Sequence, residues 1–438
     1  MLQAVINAFK IPDIRRKILY TVGILVIFRL IASVPVPGVN RDGVRDLIEQ
    51  NQLLGMLNLF SGGGLNNFSI VALGVYPYIT ATIIMQLMTP IIPRLNELSQ
   101  EGQQGRNVID RYTHYITVPL ALLQGYGQML LFSSDQSGVP GGLIENFGLF
   151  DRATFLPTVA ILITLTAGTM LLTWMGELIT ENGIGNGVSI IIFGGIVASL
   201  PGAVWGLLTG NDIRTNFFGT AAFAVIGLIT IVGVVLINEG QRRIPVHHAK
   251  RIRGNRQYGG TNTHIPLKVN SAGMIPLIFA VSIMVFPGMV ANFLSGSNVG
   301  WIQSASVTLS RWTQPDTLPY NLVYFFMVIG FTFFYTLVVF QQQRIPESLQ
   351  RQGAFIPGVR PGRNTAVYLQ KVLTRITFVG ALFLGIIAIL PYIATIITGV
   401  ESLLLSATSL LIVVGVAIDT MRQLESQLMM RNYEGFID

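Results

Sequence analysis

Residues 72–80 (ALGVYPYIT) and 271–279 (SAGMIPLIF) are apolar segments that share one small pattern, Gly-x-x-Pro-x-Ile. The pattern begins at Gly74 in the first segment and at Gly273 in the second. The proline of each copy is expected to interrupt its helix. In membrane proteins, paired interrupted segments at corresponding places in two halves indicate the working pathway. Because neither segment contains an acid, a base or a histidine, that pathway is predicted to be apolar rather than ion-coordinating.

The composition indicates an integral membrane protein. Hydrophobic residues make up 51% of the chain, charged residues only 11%, and the mean hydropathy is +0.59. A soluble domain would carry about 25% charged residues. The chain has no cysteine, which excludes disulfides, thiolate metal sites and a cysteine nucleophile. His114, His247, His248 and His264 fall in predicted polar connections, where we interpret them as isolated solvated side chains, so no metal or cofactor is expected.

Ten uncharged stretches are long enough to cross a hydrocarbon core, which takes about 20 helical residues. Their predicted bounds are 18–36, 70–90, 115–132, 155–175, 188–205, 217–238, 269–290, 318–340, 376–397 and 403–419. Helices are the predicted spanning form, since no alternation typical of a barrel is present. Arg29 lies well inside the first span, where it either snorkels, the favoured interpretation, or pairs at an interface.

The basic residues predict the orientation, because cytoplasmic loops carry an excess of Lys and Arg. With the N-terminus inside, most of the 28 basic side chains fall on the cytoplasmic side. Those on the opposite side are Arg41, Arg45, Arg152, Arg214 and Arg311. Residues 1–17 are predicted to form a cytoplasmic interfacial helix rather than a cleaved signal, because no small-residue cleavage site follows the first apolar run.

The repeated pattern predicts two five-span halves, 18–205 and 217–420, joined by a hinge connection at 206–216. Because five is odd, the second half enters the membrane upside down relative to the first. Chance occurrence of Gly and Pro in two apolar helices is the alternative. A cytoplasmic tail is predicted for 421–438.

The segment before the second span, LNLFSGGGLNN at 57–67, contains three consecutive glycines. Each glycine costs a helix about 1 kcal/mol relative to alanine. An ideal helix over 57–69 would be about 20 Å long, too short to span. The residues leave two interpretations open: a short removable element in the mouth of a pathway, or an ordinary outer loop.

Two long polar connections, 239–268 and 341–370, are predicted on the cytoplasmic side. Loops of this length are usually functional or disordered. They carry more basic residues than are needed to set the membrane orientation. We therefore favour a docking surface for a large cytoplasmic partner over a topology signal alone. Anionic membrane lipid and an RNA backbone are further candidates. Aromatic residues for base stacking are scarce, which argues against sequence-specific RNA reading.

No motif for nucleotide or peptide hydrolysis occurs, so an enzyme is not predicted. Ion-coupled transporters keep ionisable groups at mid-depth, whereas Glu177, Glu181 and Asp419 lie at predicted cytoplasmic span ends. The spans offer branched aliphatic side chains instead. Hydrophobic constrictions can close a pore by dewetting, although periodicity alone would assign most such residues to core packing.

Longer motifs make a family resemblance specific. They are FSGGGLNNFSIVALGVYPYITATIIMQL at 60–87, ITENGIGNGVSIIIFGGIVASLP at 179–201, QRRIPVHHAKR at 241–251 with THIPLKVNSAGMIPLIFA at 263–280, and PGVRPGRNTAVYL at 357–369 with TRIT at 374–377. Together they resemble the SecY family, the channel subunit of the bacterial protein-conducting translocon. The resemblance runs from Arg15 to about Glu434. It implies an all-α integral membrane protein with ten transmembrane helices in two inverted five-helix halves around a central pore.

The resemblance also implies roles for particular residues. The family's pore ring falls on Ile79, Ile83, Val188, Ile192, Ile278 and Ile412, where valine departs from the isoleucine of the other five. The plug matches 57–69, with Leu59, Phe60, Ser61, Gly62, Gly63, Gly64 and Leu65 at its centre. The surface for SecA and the ribosome matches Lys250, Arg251, Arg253, Arg256 and Arg360. Spans 2, 3, 7 and 8 match the lateral gate, with polar positions at Thr80, Gln124 and Asn270.

The implied partners are the SecE and SecG subunits, the SecA ATPase, the ribosome, signal sequences and unfolded preproteins. The implied location is the bacterial plasma membrane, with both termini cytoplasmic. The implied function is a passive channel that moves unfolded secretory proteins across the membrane and membrane segments laterally into it. The competing class is an inverted-repeat secondary transporter of a small apolar solute. A scaffold that only recruits ribosomes is a second alternative.

Overall fold

The computed structural model describes residues 11–50, 54–55, 57–58, 61–133, 147–148, 152–209, 217–248, 251–253, 256–258, 262–295, 300–343, 345–398 and 403–434. The chain divides into two compact units. The larger comprises Met1–Gly227, Val281–Asn321 and Pro391–Asp438, and the smaller comprises Leu228–Ala280 and Leu322–Leu390. This division follows packing rather than the predicted halves 18–205 and 217–420, which remain a prediction.

Over the described residues the fold is helical apart from five short strands. The helices are α1 (Pro12–Ser33), α2 (Arg41–Gln50), α3 (Tyr76–Met88), α4 (Pro93–Gln100), α5 (Gln103–Ser133), α6 (Arg152–Asn182), α7 (Gly187–Thr209), α8 (Phe217–Glu239), α9 (Ile275–Ser295), α10 (Gly300–Trp312), α11 (Leu318–Gln343), α12 (Ile345–Arg351), α13 (Arg363–Thr398) and α14 (Leu403–Glu434). The strands are β1 (Gln241–His248), β2 (Arg251–Arg253), β3 (Arg256–Tyr258), β4 (Asn262–Lys268) and β5 (Ala354–Phe355).

Each predicted span coincides with one helix, in the order α1, α3, α5, α6, α7, α8, α9, α11, α13 and α14. By length and composition, three helices within the described ranges are able to cross a membrane: Thr154–Asn182, Leu318–Arg351 and Arg363–Ile397. Shorter apolar helices occur at Gly187–Ser199, Val225–Glu239 and Ile275–Gly288. The helices are therefore consistent with ten spans.

The two copies of the Gly-x-x-Pro-x-Ile pattern adopt the same local conformation. Gly74 has φ = 61° and Gly273 has φ = 64°, which is the left-handed region that glycine enters without a Cβ penalty. Pro77 and Pro276 are each the second residue of the helix that follows. The prediction that each proline interrupts its helix is therefore wrong. Proline in the first turn removes no hydrogen bond, so both prolines begin their helices.

The larger unit is a set of packed helices. α5 packs against α3, α4 and α6, and α6 also packs against α1 and α7. α7 packs in turn against α14. Ile14, Ile184 and Leu424 form a small buried cluster that joins the beginning of α1, the turn after α6 and the last part of α14. The first helix and the last therefore belong to one core.

The smaller unit contains a β-sheet that the sequence did not indicate. β1 pairs antiparallel with β4, and β5 pairs antiparallel with β1. Ile244 and Val246 of β1 and Leu267 of β4 are buried together with Leu369 and Ile376 of α13. The two long connections therefore fold on a shared apolar core. Three inward side chains among many charges are too few to produce a visible alternation.

Three predicted segment boundaries differ from the structure. α1 already begins at Pro12, so 12–17 continue into the first span, while 1–10 lie outside the described residues. α7 continues to Thr209, so the predicted hinge connection does not begin at 206, and 210–216 lie outside the described residues. α14 runs on to Glu434, which makes the predicted tail helical over 421–434.

Candidate functional site

The predicted pore-ring residues lie on four helices. Ile79 and Ile83 are on α3, Val188 and Ile192 on α7, Ile278 on α9 and Ile412 on α14. All are buried except Val188, which is partly buried. Five belong to the larger unit and Ile278 belongs to the smaller. Burial agrees with either a closed ring or ordinary packing, so the ring remains a prediction.

Val188 packs closely on a neighbouring helix. A Cβ placed at Gly176 of α6 would lie 3.2 Å from Val188 Cγ2, and one at Gly187 would lie 1.7 Å from the Gly176 carbonyl oxygen. The two glycines therefore allow α6 and α7 to approach at backbone distance. This approach sets the position of Val188 at the beginning of α7.

The predicted plug segment forms a tight, buried turn. Gly62 and Gly63 have φ = 64° and 86°, and a 3₁₀ turn follows at Leu65–Asn67. The Ser61 hydroxyl donates to the Asn58 carbonyl at 2.9 Å and accepts from the Leu65 backbone N–H at 3.0 Å. The glycine run therefore serves a left-handed turn rather than a weak helix. Leu59 and Phe60 lie outside the described residues.

Arg29 does not merely extend toward water. Its Nη1 donates to the Gly62 carbonyl oxygen at 3.4 Å, which joins α1 to the predicted plug. Of the two interpretations of this residue, the structure therefore favours pairing over snorkelling. The sequence could not identify the partner, because a backbone carbonyl carries no residue signature.

The predicted polar gate residues have different environments. The Thr80 hydroxyl donates to the Tyr76 carbonyl of its own helix at 3.0 Å. Gln124 on α5 is 2% exposed, and neither polar atom of its amide has a hydrogen-bond partner. Asn270 donates to Asn238 Oδ1 at 2.8 Å. No hydrogen bond joins these three described side chains, and their shared gate role remains a prediction.

A hydrogen bond that the sequence reading missed joins two of the predicted gate helices. The Tyr76 hydroxyl of α3 donates to the Ser282 carbonyl oxygen of α9 at 2.9 Å, and Tyr76 is 1% exposed. A buried tyrosine hydroxyl normally requires a partner. The position of Tyr76 in an apolar span was therefore a usable signal, although the identity of its acceptor was not.

Removing this hydroxyl should weaken the contact between α3 and α9. In Tyr76→Phe the Ser282 carbonyl loses the Tyr76 hydroxyl as a donor, and we expect the folded protein to lose about 1 kcal/mol of stability. The measurement is the denaturant unfolding midpoint in detergent, which should fall. Tyr126→Phe is a control outside this pair. An unchanged midpoint would show that this bond does not hold the helices together.

The expectation of isolated, solvated histidines is wrong for His114, His247 and His248, whereas the His264 side chain is exposed as expected. His114 lies inside α5, and its Nε2 is 2.5 Å from Glu177 Oε1 of α6. The His247 ring stacks on Phe355 at 6.0 Å, and His248 Nε2 lies 3.1 Å from Thr263 Oγ1. These partners are distant in sequence, so local composition did not indicate them.

Asp110 lies one turn before His114 on α5. Partial burial raises the pKa of the Asp110 carboxyl, and the neighbouring His114 and Arg106 oppose that rise. Within the described ranges no group of three or more His, Cys, Asp or Glu residues could hold a metal ion. The contact between His114 and Glu177 joins α5 to α6.

The predicted docking residues that the structure describes lie on the two long connections. Arg251 belongs to β2, and Arg253 and Arg256 are paired in the backbone register of β2 and β3. The Arg360 backbone carbonyl accepts from the Thr365 hydroxyl at 3.0 Å, which attaches its loop to the start of α13. Lys250 lies outside the described residues. The sheets therefore give these cations a folded base.

Comparison with known proteins gives a consistent family. The SecY family model matches residues 69–421. The chain is 44% identical over 442 residues to the protein translocase subunit SecY of Streptomyces scabiei, covering 100% of both chains. It is also 44% identical over 454 residues to that of Mycobacterium bovis, again covering 100% of both.

Solved structures are similar in fold. One, in which the plug domain of SecY is described as stabilising the closed channel, has a TM-score of 0.62 at 17% identity, with 96% of each chain covered. Sec61 in the canine ribosome–channel complex has a TM-score of 0.55 at 16% identity, with 96% of each covered. At such identities these likenesses concern the fold alone. On the family model and the full-length relatives, the chain belongs to the SecY family.

Proposed function

We propose that this chain is the pore-forming subunit of a Sec translocase, a passive protein-conducting channel. It moves unfolded secretory proteins across a membrane and membrane segments laterally into the lipid. The observation that carries the proposal is the glycine-rich turn at Ser61–Leu65, buried against spans 1 and 5 in a chain that matches translocase subunits over its full length. A small removable element buried within a set of apolar spans suits a channel better than a small-solute transporter.

The aliphatic ring supplies the constriction in this proposal. Ile79, Ile83, Val188, Ile192, Ile278 and Ile412 would close around dry space in the resting state and around a polypeptide during transport. An apolar ring makes no fixed hydrogen bonds, so it adapts to any passing side chain. The role proposed for this chain is passive and includes no catalytic step.

Lateral release follows from the hydrophobic effect. When the two halves part, a signal helix gains access to lipid between spans 2 and 7. Each methylene transferred from water to lipid gains about 0.8 kcal/mol, so an apolar helix partitions while a polar segment continues through the pore. Thr80, Gln124 and Asn270 would set how apolar a helix must be to leave, because in this proposal they would place polar atoms along the exit.

The cytoplasmic connections supply the docking surface in this proposal. The basic residues Lys250, Arg251, Arg253, Arg256 and Arg360 would bind the SecA ATPase or the ribosome, and the cations nearest the lipid would bind anionic headgroups. SecE and SecG would complete the complex. The excess of basic residues on one side supports cytoplasmic termini. The bacterial source of the full-length relatives supports a plasma-membrane location.

Crosslinking to a stalled precursor tests the proposal. We expect photoactivatable probes at positions 79 and 278 to capture a secretory precursor arrested in transit. Ile163, which is 59% exposed on α6, is the control position and should give no adduct with the hydrophilic part of the precursor. A small-solute transporter would give no precursor adduct at all. A ribosome-recruiting scaffold would bind ribosomes and still give none.

A further inference from the structure

We propose that Gly195 of α7 and Arg29 of α1 form a seat that holds the predicted plug in its closed position. The inference rests on the proposed function and deepens it, because it names the residues that decide how tightly the plug is held. The seat consists of Phe28 and Arg29 on α1 and Gly195 on α7. Its ligand is the backbone of the chain itself, at Gly62 and Gly63.

The floor of the seat is a contact between two glycines. A Cβ placed at Gly195 would lie 2.1 Å from Gly62 Cα and 2.8 Å from the Gly62 carbonyl oxygen. These neighbours are backbone atoms, which cannot move aside as a flexible side chain can. A Cβ at Gly62 would lie 2.5 Å from Phe28 Cζ. The closed plug therefore fits only while both positions are glycine.

The guanidinium of Arg29 holds the plug from a second side. Its Nη1 donates to the Gly62 carbonyl oxygen at 3.4 Å. A Cβ at Gly63 would lie 3.2 Å from Arg29 Nη1. Gly63 has φ = 86°, a left-handed backbone conformation that residues with a Cβ rarely adopt. Hydrogen bonds to a charged donor are stronger than neutral ones. The residue thus opposes departure of the plug.

The plug is built to move as one piece. The Ser61 hydroxyl bonds both Asn58 and Leu65 within the segment. Near its end, the Val36 N–H donates to the Phe68 carbonyl at 2.9 Å, which attaches the last part of the plug to the chain after α1. The segment therefore has an internal structure and a fixed base. The seat then determines the position of the segment.

Thiol labelling of the assembled translocon tests the seat. The chain has no cysteine, and Leu65 is 0% exposed, so Leu65→Cys is a single buried reporter. We expect maleimide to label the Leu65→Cys variant slowly. Adding Gly195→Ala should raise the labelling rate about tenfold, because the new methyl overpacks a buried contact. Arg29→Gln should raise the rate about threefold, and Arg29→Lys, which keeps the charge, should raise it less.

The matched control is the neighbouring glycine of the same helix. The three atoms nearest a Cβ at Gly194 all belong to the Leu25 side chain, the closest at 2.7 Å, and this side chain can move. Gly194→Ala should therefore leave the labelling rate unchanged, and an increase equal to that of Gly195→Ala would overturn the seat. If Gly195→Ala does not assemble, Gly62→Ala tests the seat from the side of the plug, where the new Cβ would lie 2.5 Å from Phe28 Cζ.

Ion conductance separates failure of the seat from failure of the channel proposal. Deletion of residues 61–65 should raise the resting conductance, and Gly195→Ala added to the deletion should add nothing, because both act on one element. A conductance raised by the deletion but not by Gly195→Ala would refute the seat alone. A conductance unchanged by the deletion would refute the plug as a seal, while the sealing role of the aliphatic ring is tested separately by Ile412→Asn.

Discussion

Replacing Ile412 by asparagine is expected to make the resting channel conduct ions. In the closed ring the new amide has no designed partner, and an unsatisfied buried polar group costs about 1–3 kcal/mol. That cost falls on the closed state alone, because water solvates the amide once the pore opens. The open fraction should therefore rise about 5- to 150-fold. Ile278→Asn should act in the same direction.

Planar-bilayer conductance of the assembled complex is the measurement. Ile412→Leu keeps volume and polarity and should stay closed. Ile161→Asn places the same amide at a buried position of α6 that is not assigned to the ring, and it should reduce stability without opening the pore. A closed Ile412→Asn channel, or a leak from Ile161→Asn as large, would remove the ring from its sealing role.

Gly187→Ala is expected to give the largest loss of stability. The new methyl would lie 1.7 Å from the Gly176 carbonyl oxygen and 2.5 Å from its carbon, so α6 and α7 must separate. Overpacking of this kind costs about 3 kcal/mol. Because Val188 follows directly, the separation should also displace one wall of the predicted ring.

Denaturant unfolding in detergent should show this loss as a lower midpoint. Gly127→Ala is the matched control, because a Cβ there meets nothing within 4 Å. Alanine is the better helix former by about 1 kcal/mol, so the control should be neutral or slightly stabilising. Equal midpoints for the two variants would show that the α6–α7 approach is not a tight constraint.

Much of the fold could be predicted without coordinates. Each of the ten apolar stretches coincides with a helix, because about 20 apolar residues suffice for a span and local hydropathy records them. The repeated glycine and proline also marked the correct places, although the prolines begin helices instead of interrupting them. The strands at Gln241–His248 and Asn262–Lys268 were not predicted, because they are short, charged and interrupted by proline.

Hydropathy, charge and residue type are properties of consecutive residues. The sequence alone therefore indicates the membrane class, the spans and the candidate ring. The partners of individual groups depend on which helices pack together. Gly62 meets Gly195, Tyr76 bonds Ser282 and His114 bonds Glu177 across long stretches of chain. Such pairs leave no local pattern, because backbone carbonyls and close glycine contacts arise only after packing has brought distant segments together.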